Sequence, residues 1–209
     1  MSPAARLDRD AIVDAAVRII ERDGAEALSM RRLAAELGSK PMSLYHYVPN
    51  KAALMSLVLG ELADRIEWRV ITGSPRDRMV GLAIDMYDKL SQIPWLVRIL
   101  REGVFTGLPA LTLPDQFIAA ANEAGFDDRQ AFGLWRSCWD LVASELQFQI
   151  SAAQRASGER PWYDAVDPAD LADYPAVLRL LPSWGEYSRG FRVDDAVAML
   201  IDGALATRL

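Results

Sequence analysis

Histidine and cysteine are nearly absent: His46 and Cys138 are single occurrences in 209 residues. One cysteine rules out an intramolecular disulfide and fits a cytosolic (cytoplasmic) chain. The two residues together supply no Cys/His cluster of metal-ligand spacing. No stretch approaches the ~18 continuous apolar residues of a membrane span. The opening Met-Ser-Pro-Ala-Ala-Arg-Leu-Asp lacks the apolar core of a secretory signal. There is no internal repeat and no low-complexity tract. Catalytic motifs are missing too: there is no Gly-x-Ser-x-Gly elbow, no phosphate-binding glycine loop and no His-Glu-x-x-His. No cofactor or metal is expected.

What is present is ordinary for a soluble helical protein, except in its charge distribution. The net charge is −6. Residues 1–70 hold ten basic and ten acidic side chains, and residues 71–209 hold thirteen and nineteen. Within the first part, residues 29–51 carry Arg31, Arg32, Lys40 and Lys51 against Glu36 alone. A positive island in an acidic chain suits a phosphate-facing surface.

That island has a recognisable local pattern. Ser29 is placed to cap a helix running to about Leu37, with Leu33 and Leu37 on one face. Gly38 ends it. Pro41, favoured at a first helical position, opens a second helix that stops before Pro49. Two helices about a glycine turn read as helix-turn-helix. The second helix offers Met42, Ser43, Tyr45, His46 and Tyr47 to a groove. Ahead of it, residues 9–22 repeat Ile12, Ala15, Ala16, Ile19 and Ile20 at helical spacing. This first helix is expected to cover Leu33, Leu37, Leu44 and Val48, giving a three-helix unit.

The string Leu-Ser-Met-Arg-Arg-Leu-Ala-Ala-Glu-Leu-Gly, followed by Leu-Tyr-His-Tyr-Val-Pro-Asn-Lys-Ala-Ala-Leu, resembles the DNA-binding domain of the TetR family of transcriptional regulators. The resemblance covers about Asp10 to Leu59. One departure is Lys40, where many members have serine or threonine; Ser39 is expected to take over the capping role. By position, the resemblance implies that Tyr45 and Lys51 hold phosphates, with Ser29 and Tyr47 as further candidates. Arg31 is the candidate for a guanine edge. Lys40, Pro41, Met42, Ser43 and His46 are expected to face the groove.

The fold expected is all-α. Residues 1–50 form the DNA-binding domain, 51–70 a connecting helix, and 71–209 a larger helical domain for effector binding and dimerisation. In the larger part, helical patterns run over 76–92, from Pro94 to Leu100, over 113–124, from Asp127 to about Ala156, over 174–181 and over 193–208. Residues 157–170 read as a loop.

Tyr87, Trp95, Phe117 and the pair Trp135 and Trp139 are spread over four predicted helices, with Phe105 between two of them. Convergent aromatics either fill a core or line a ligand cavity. The resemblance favours the cavity, because the family's larger domain typically binds a small effector. Ile-Pro-Trp-Leu at 93–96 and Ala-Gly-Phe at 124–126 are similar to the tetracycline-repressor-like subgroup. Those repressors use a histidine toward a magnesium–drug complex, and His46 lies elsewhere, so a metal-chelated tetracycline is not expected. An apolar or aromatic effector is expected, held with polar groups drawn from Asn122, Ser137, Glu145 and Gln149, beside Cys138. The resemblance also implies a homodimer built by the helices at 127–156 and 193–208, bound to a near-palindromic double-stranded operator, as a repressor.

Two rival readings remain. One is a DNA-binding regulator controlled by a protein partner, with no small-molecule site. The other is an enzyme. With its only histidine on the expected DNA face, the larger part has no Ser-His-Asp triad. Asp85, Asp140 and Glu145 remain as a carboxylate set, but acids on helices are usually solvated or paired. Catalysis is not expected.

Overall fold

The computed structural model describes residues 8–103, 107–154 and 159–207. Among these residues all regular structure is helical. Helix α1 spans Arg9–Asp23, α2 Met30–Glu36 and α3 Pro41–Tyr45. Local chemistry sets their ends. Asp8 accepts the Ala11 N–H at 2.9 Å and caps α1. Gly24, at φ 85°, stops that helix in a conformation that L side chains rarely adopt. Ser29 accepts the Arg32 N–H at 3.2 Å and caps α2. Lys40 occupies the N-cap of α3 without a side-chain cap. Ser39 does not replace it: its hydroxyl donates to the Lys40 carbonyl, at 3.2 Å.

None of these helices buries its apolar face alone. Ile12, Ala16, Ile19 and Ile20 of α1 meet Leu33, Leu44 and Val48 in a fully buried cluster, and Leu37 packs at its edge. Ion pairs fasten the outside. Arg22 reaches Glu36, and Arg32 reaches Asp23, tying α2 to α1.

Helix α4, Lys51–Arg65, starts at an Asn50 cap, with the Ala53 N–H donated at 2.8 Å. Leu54, Met55, Val58 and Leu59 extend the small core along it. Arg65 bonds Asp14 at 2.7 Å, so the far end of α4 is tied back to α1. The helix was expected to reach Val70 but stops at Arg65, because Ile66 turns extended and a long-range contact captures the chain. The Arg69 N–H donates to Asp85 at 2.9 Å. The other Asp85 oxygen lies 3.3 Å from the Arg69 guanidinium, an ion-pair distance without hydrogen-bond alignment. Arg69 also pairs with Asp88 at 3.0 Å. Asp85 is fully buried, and it is the only buried charged residue among those described. Burying a carboxylate is tolerable only with such partners.

Helices α5 (Pro75–Ser91), α6 (Pro94–Arg101), α7 (Thr112–Glu123), α8 (Asp128–Gln154) and α12 (Val193–Ala206) make the larger body. Ser74 and Asp77 form a reciprocal capping box at the start of α5. Helix α5 is central, packing on α6, α7, α8 and α12. Between α8 and α12, two regions differ from expectation. The 157–170 segment holds a short helix α9, Trp162–Ala165, and a 3-10 turn at Pro168–Leu171. After α10 (Pro175–Leu180) the chain does not stop at Pro182. It makes a 3-10 turn there and continues as α11, Trp184–Arg189. The rings of Trp162 and Trp184, 5.0 Å apart edge to face, join α9 to α11.

Candidate nucleic-acid interface and effector cavity

Helix α3 presents one buried and several exposed side chains. Leu44 faces the core, while Pro41, Met42, Tyr45 and His46 are exposed and Ser43 is half-buried. Met42 is 70% exposed, against 45% for Tyr45. Ser29, Arg31, Lys40, Tyr47 and Lys51 are also exposed. Of the four cations counted in this stretch, Arg32 is drawn to Asp23. Arg31, Lys40 and Lys51 have no ion-pair partner among the described residues. A helix this short, with an outward apolar residue and surrounding cations, is shaped to enter a groove and meet phosphates. Ser29 has a structural duty as well, since its hydroxyl caps α2.

A cavity of about 290 Å³ opens on the other side of α4. Leu59 and Ala63 of α4, Ile66 and Trp68 of the linker, and Met86 and Leu90 of α5 form one wall. Leu96 and Leu100 of α6, Leu113 of α7, and Phe132, Trp135, Arg136 and Trp139 of α8 complete it. The lining is apolar except at Arg136, whose Nε donates to Asp140 at 2.9 Å. The floor comes close to α4 at a glycine contact. A β-carbon at Gly107 would lie 2.5 Å from the Gly60 Cα and N.

Of the residues singled out from sequence for a ligand, Trp135 and Trp139 line this cavity. The others lie elsewhere. Phe117 is fully buried behind the wall, its ring 5.4 Å from Trp135. Tyr87 accepts a hydrogen bond from Gln149 at 2.7 Å, and Gln149 also donates to Glu145 at 3.0 Å. Glu145 borders a separate open groove with Phe148, Leu180 and Tyr187. Trp95 packs against the core with its indole N–H buried and unpartnered. Asn122 donates to Asp128 at 3.1 Å, and Ser137 donates to the Gly133 carbonyl at 2.9 Å. Cys138 is buried, and desolvation pushes its thiol up to about 12, so it is inert rather than nucleophilic. Phe105 lies outside the described residues. Trp68, Phe132 and Arg136 carried no signal in sequence, because the cavity forms where α4, α5, α6, α7 and α8 meet.

Residues 12–58 match the family described as bacterial regulatory proteins, tetR family. The chain is 35% identical over 152 residues to Rv0681 of Mycobacterium tuberculosis, described as an uncharacterized HTH-type transcriptional regulator, covering 66% of this chain and 68% of that one. The chain belongs to the TetR family of transcriptional regulators. Members of this family are DNA-binding regulators. Another relative is the HTH-type transcriptional repressor DrrR1 of Streptomyces coeruleorubidus, 33% identical over 160 residues. That match takes in 75% of this chain but spans only 59% of the length of DrrR1. Among solved TetR-type structures, ActR of Streptomyces coelicolor in complex with actinorhodin superposes with a TM-score of 0.72. The match covers 97% of this chain and 98% of ActR at 24% identity, a likeness of fold. No helix among the described residues is long and apolar enough to cross a membrane.

Proposed function

We propose that this TetR-family protein is a ligand-responsive repressor. It binds a near-palindromic operator as a homodimer and is released by a small apolar or aromatic effector. Residues 1–50 read DNA, 51–70 connect, and 71–209 bind effector and the second subunit. Tyr45, Lys51, Ser29 and Tyr47 hold phosphates. Arg31, Lys40, Pro41, Met42, Ser43 and His46 meet the bases.

The observation carrying this reading is the double use of one helix. Lys51, proposed above to hold a phosphate, opens α4, while Leu59 and Ala63, two and three turns on, are cavity wall. A ligand that moves this wall moves the DNA unit with it, since Arg65 and the Leu54–Leu59 cluster bind α4 to α1. Repression is supported by the relative described as a repressor, and a small-molecule effector by the ActR complex with actinorhodin. Dimerisation through α8 and α12 is supported by their packing together with Phe132, Phe148 and Met199 left exposed.

Twofold symmetry suits the task, because paired reading helices about 34 Å apart enter successive major grooves. By linkage, operator weakens effector binding by the factor with which effector weakens operator binding, typically ~5–150-fold. The test is footprinting of genomic fragments selected by the protein, followed by a thermal-shift screen of aromatic compounds against protein and protein–operator complex. A twofold protected sequence and a compound that both raises the melting point and releases the DNA are expected. Unprotected DNA, or compounds bound equally with and without operator, refute the reading.

A further inference from the structure

The chemical class of the effector is written into one residue of the cavity wall, provided that the cavity is the effector site, as proposed above. We propose that the cavity selects a compact planar aromatic anion, and that Arg136 is its counter-ion.

The argument begins with the lining. Trp68, Phe132, Trp135 and Trp139 approach the cavity from the linker and from α8. Aromatic faces and edges favour a flat ring system over a bulky aliphatic one. The volume, about 290 Å³, lies at the small end of ligand pockets and suits a few fused rings. Arg136 is the sole ionisable residue of the lining among the described residues, and it is cationic at every physiological pH. No acid shares the wall, so an organic cation meets repulsion and no counter-charge. An anion meets a guanidinium at the edge of an apolar surface and no competing acid on the wall.

Asp140 does not cancel this charge. It takes the Nε–H at 2.9 Å, one of five guanidinium N–H donors, from one turn further along α8. Both partners of that pair are more than half exposed, and an exposed pair of this kind is held weakly. A ligand carboxylate, sulfonate or phenolate therefore adds to the pair or displaces Asp140. A planar guanidinium can stack on an aromatic face or pair with an acidic group at the ring's edge. Arg136 thus acts as a specificity-determining residue for effector choice.

Two dyes of the same skeleton isolate the charge: anilinonaphthalene sulfonate and its uncharged parent, phenylnaphthylamine. Energy transfer from tryptophan to bound dye reports occupancy in the full-length protein. Arg136→Gln is expected to weaken the sulfonate about tenfold, the scale of one lost charge-assisted hydrogen bond, and to change the neutral dye by less than about twofold. Asp140→Asn, which frees the guanidinium, is expected to tighten the sulfonate alone. Ala63→Phe, which fills the cavity, is expected to remove both dyes; its folding is checked by circular dichroism, and Ala110→Phe fills the same space from another element if it is unfolded. Equal effects of Arg136→Gln on both dyes, or no effect on either, overturn the counter-ion assignment and leave the cavity reading standing. Unchanged affinity for both dyes in folded, cavity-filled protein overturns the cavity reading itself, and the assignment with it.

Discussion

Gly107 lies against Gly60 with no room for a side chain between them: a β-carbon on Gly107 would come within 2.5 Å of the Gly60 backbone. This contact seats α4 on the 3-10 turn Leu108–Leu111, at the floor of the cavity. Gly107→Ala is expected to force the two backbones apart, at about 1–3 kcal/mol, the ordinary scale of overpacking. Urea unfolding of variant and wild type measures the loss. Operator affinity is expected to change in the same variant, because the displaced helix carries the DNA unit. Stability lost with affinity untouched would disconnect α4 from DNA binding.

Lys51 and Met42 separate holding from reading. Lys51→Ala is expected to weaken every DNA sequence alike and to lower the salt slope of binding by about one. Substitutions at Met42 or Ser43 are expected to alter preference among sites instead. Titrations on cognate and random duplexes across a salt series distinguish the two behaviours. A uniform loss from both kinds of substitution would reject the division.

Asp85 tests the linker. Its carboxylate receives the Arg69 N–H and stands beside the Arg69 guanidinium. Asp85→Ala strands that N–H and loosens residues 66–71 on α5, leaving the Arg69–Asp88 ion pair to hold them, at an expected cost of about 1–3 kcal/mol. Hydrogen exchange is expected to speed up first at the linker amides, next to the cavity wall residues Ile66 and Trp68. Exchange that rises evenly over the whole chain would mean that Asp85 supports the fold in general and not this segment.

Arg76 and Asp202 give a pH signature. The guanidinium takes both carboxylate oxygens, at 2.6 and 2.8 Å, joining the start of α5 to the end of α12. It holds the Asp202 carboxyl below its ordinary value of 3.8. A carboxyl depressed in the folded state adds stability above its unfolded pKa and loses it as pH falls through the folded pKa. Wild type is therefore expected to exceed Asp202→Asn by a constant margin near neutral pH. The two should converge as the pH drops below 3.8. Denaturant melts over a pH series read this directly, and a margin that persists in acid would remove the ion pair as its source.

Met199 probes the second subunit. It is 75% exposed on α12, and Gly203 one turn later has open space above it, so knob and hole share a face. Met199→Glu is expected to give monomers in sedimentation and to abolish binding to a twofold site. Dimers that persist would move the interface off this face.

The legible parts of the fold are those whose ends are set locally. Ser29, Gly38 and Pro41 bracket α2 and α3 within a few residues, and the periodicity of Ile12 to Ile20 marks α1. The end of α4 was not legible, because nothing between Arg65 and Val70 breaks a helix. Asp85, sixteen residues away from Arg69, stops it instead. The same holds for the cavity. Trp135 and Trp139 were visible as aromatics on an apolar helix, but Trp68 sat in a stretch that read as helix, and nothing in the sequence around Arg136 singles it out. Tyr87, Phe117 and Trp95 share the aromatic character yet face partners other than the cavity. Composition does not tell a lining ring from a packed one.

Helix α3 has five residues and no side-chain cap. A segment so short does not hold a helical shape by itself, and Leu44 with Val48 behind it supplies the mould. Its outward residues carry none of that burden. Substitutions at Met42, Ser43 and His46 are thus expected to leave the frame that presents them as it is.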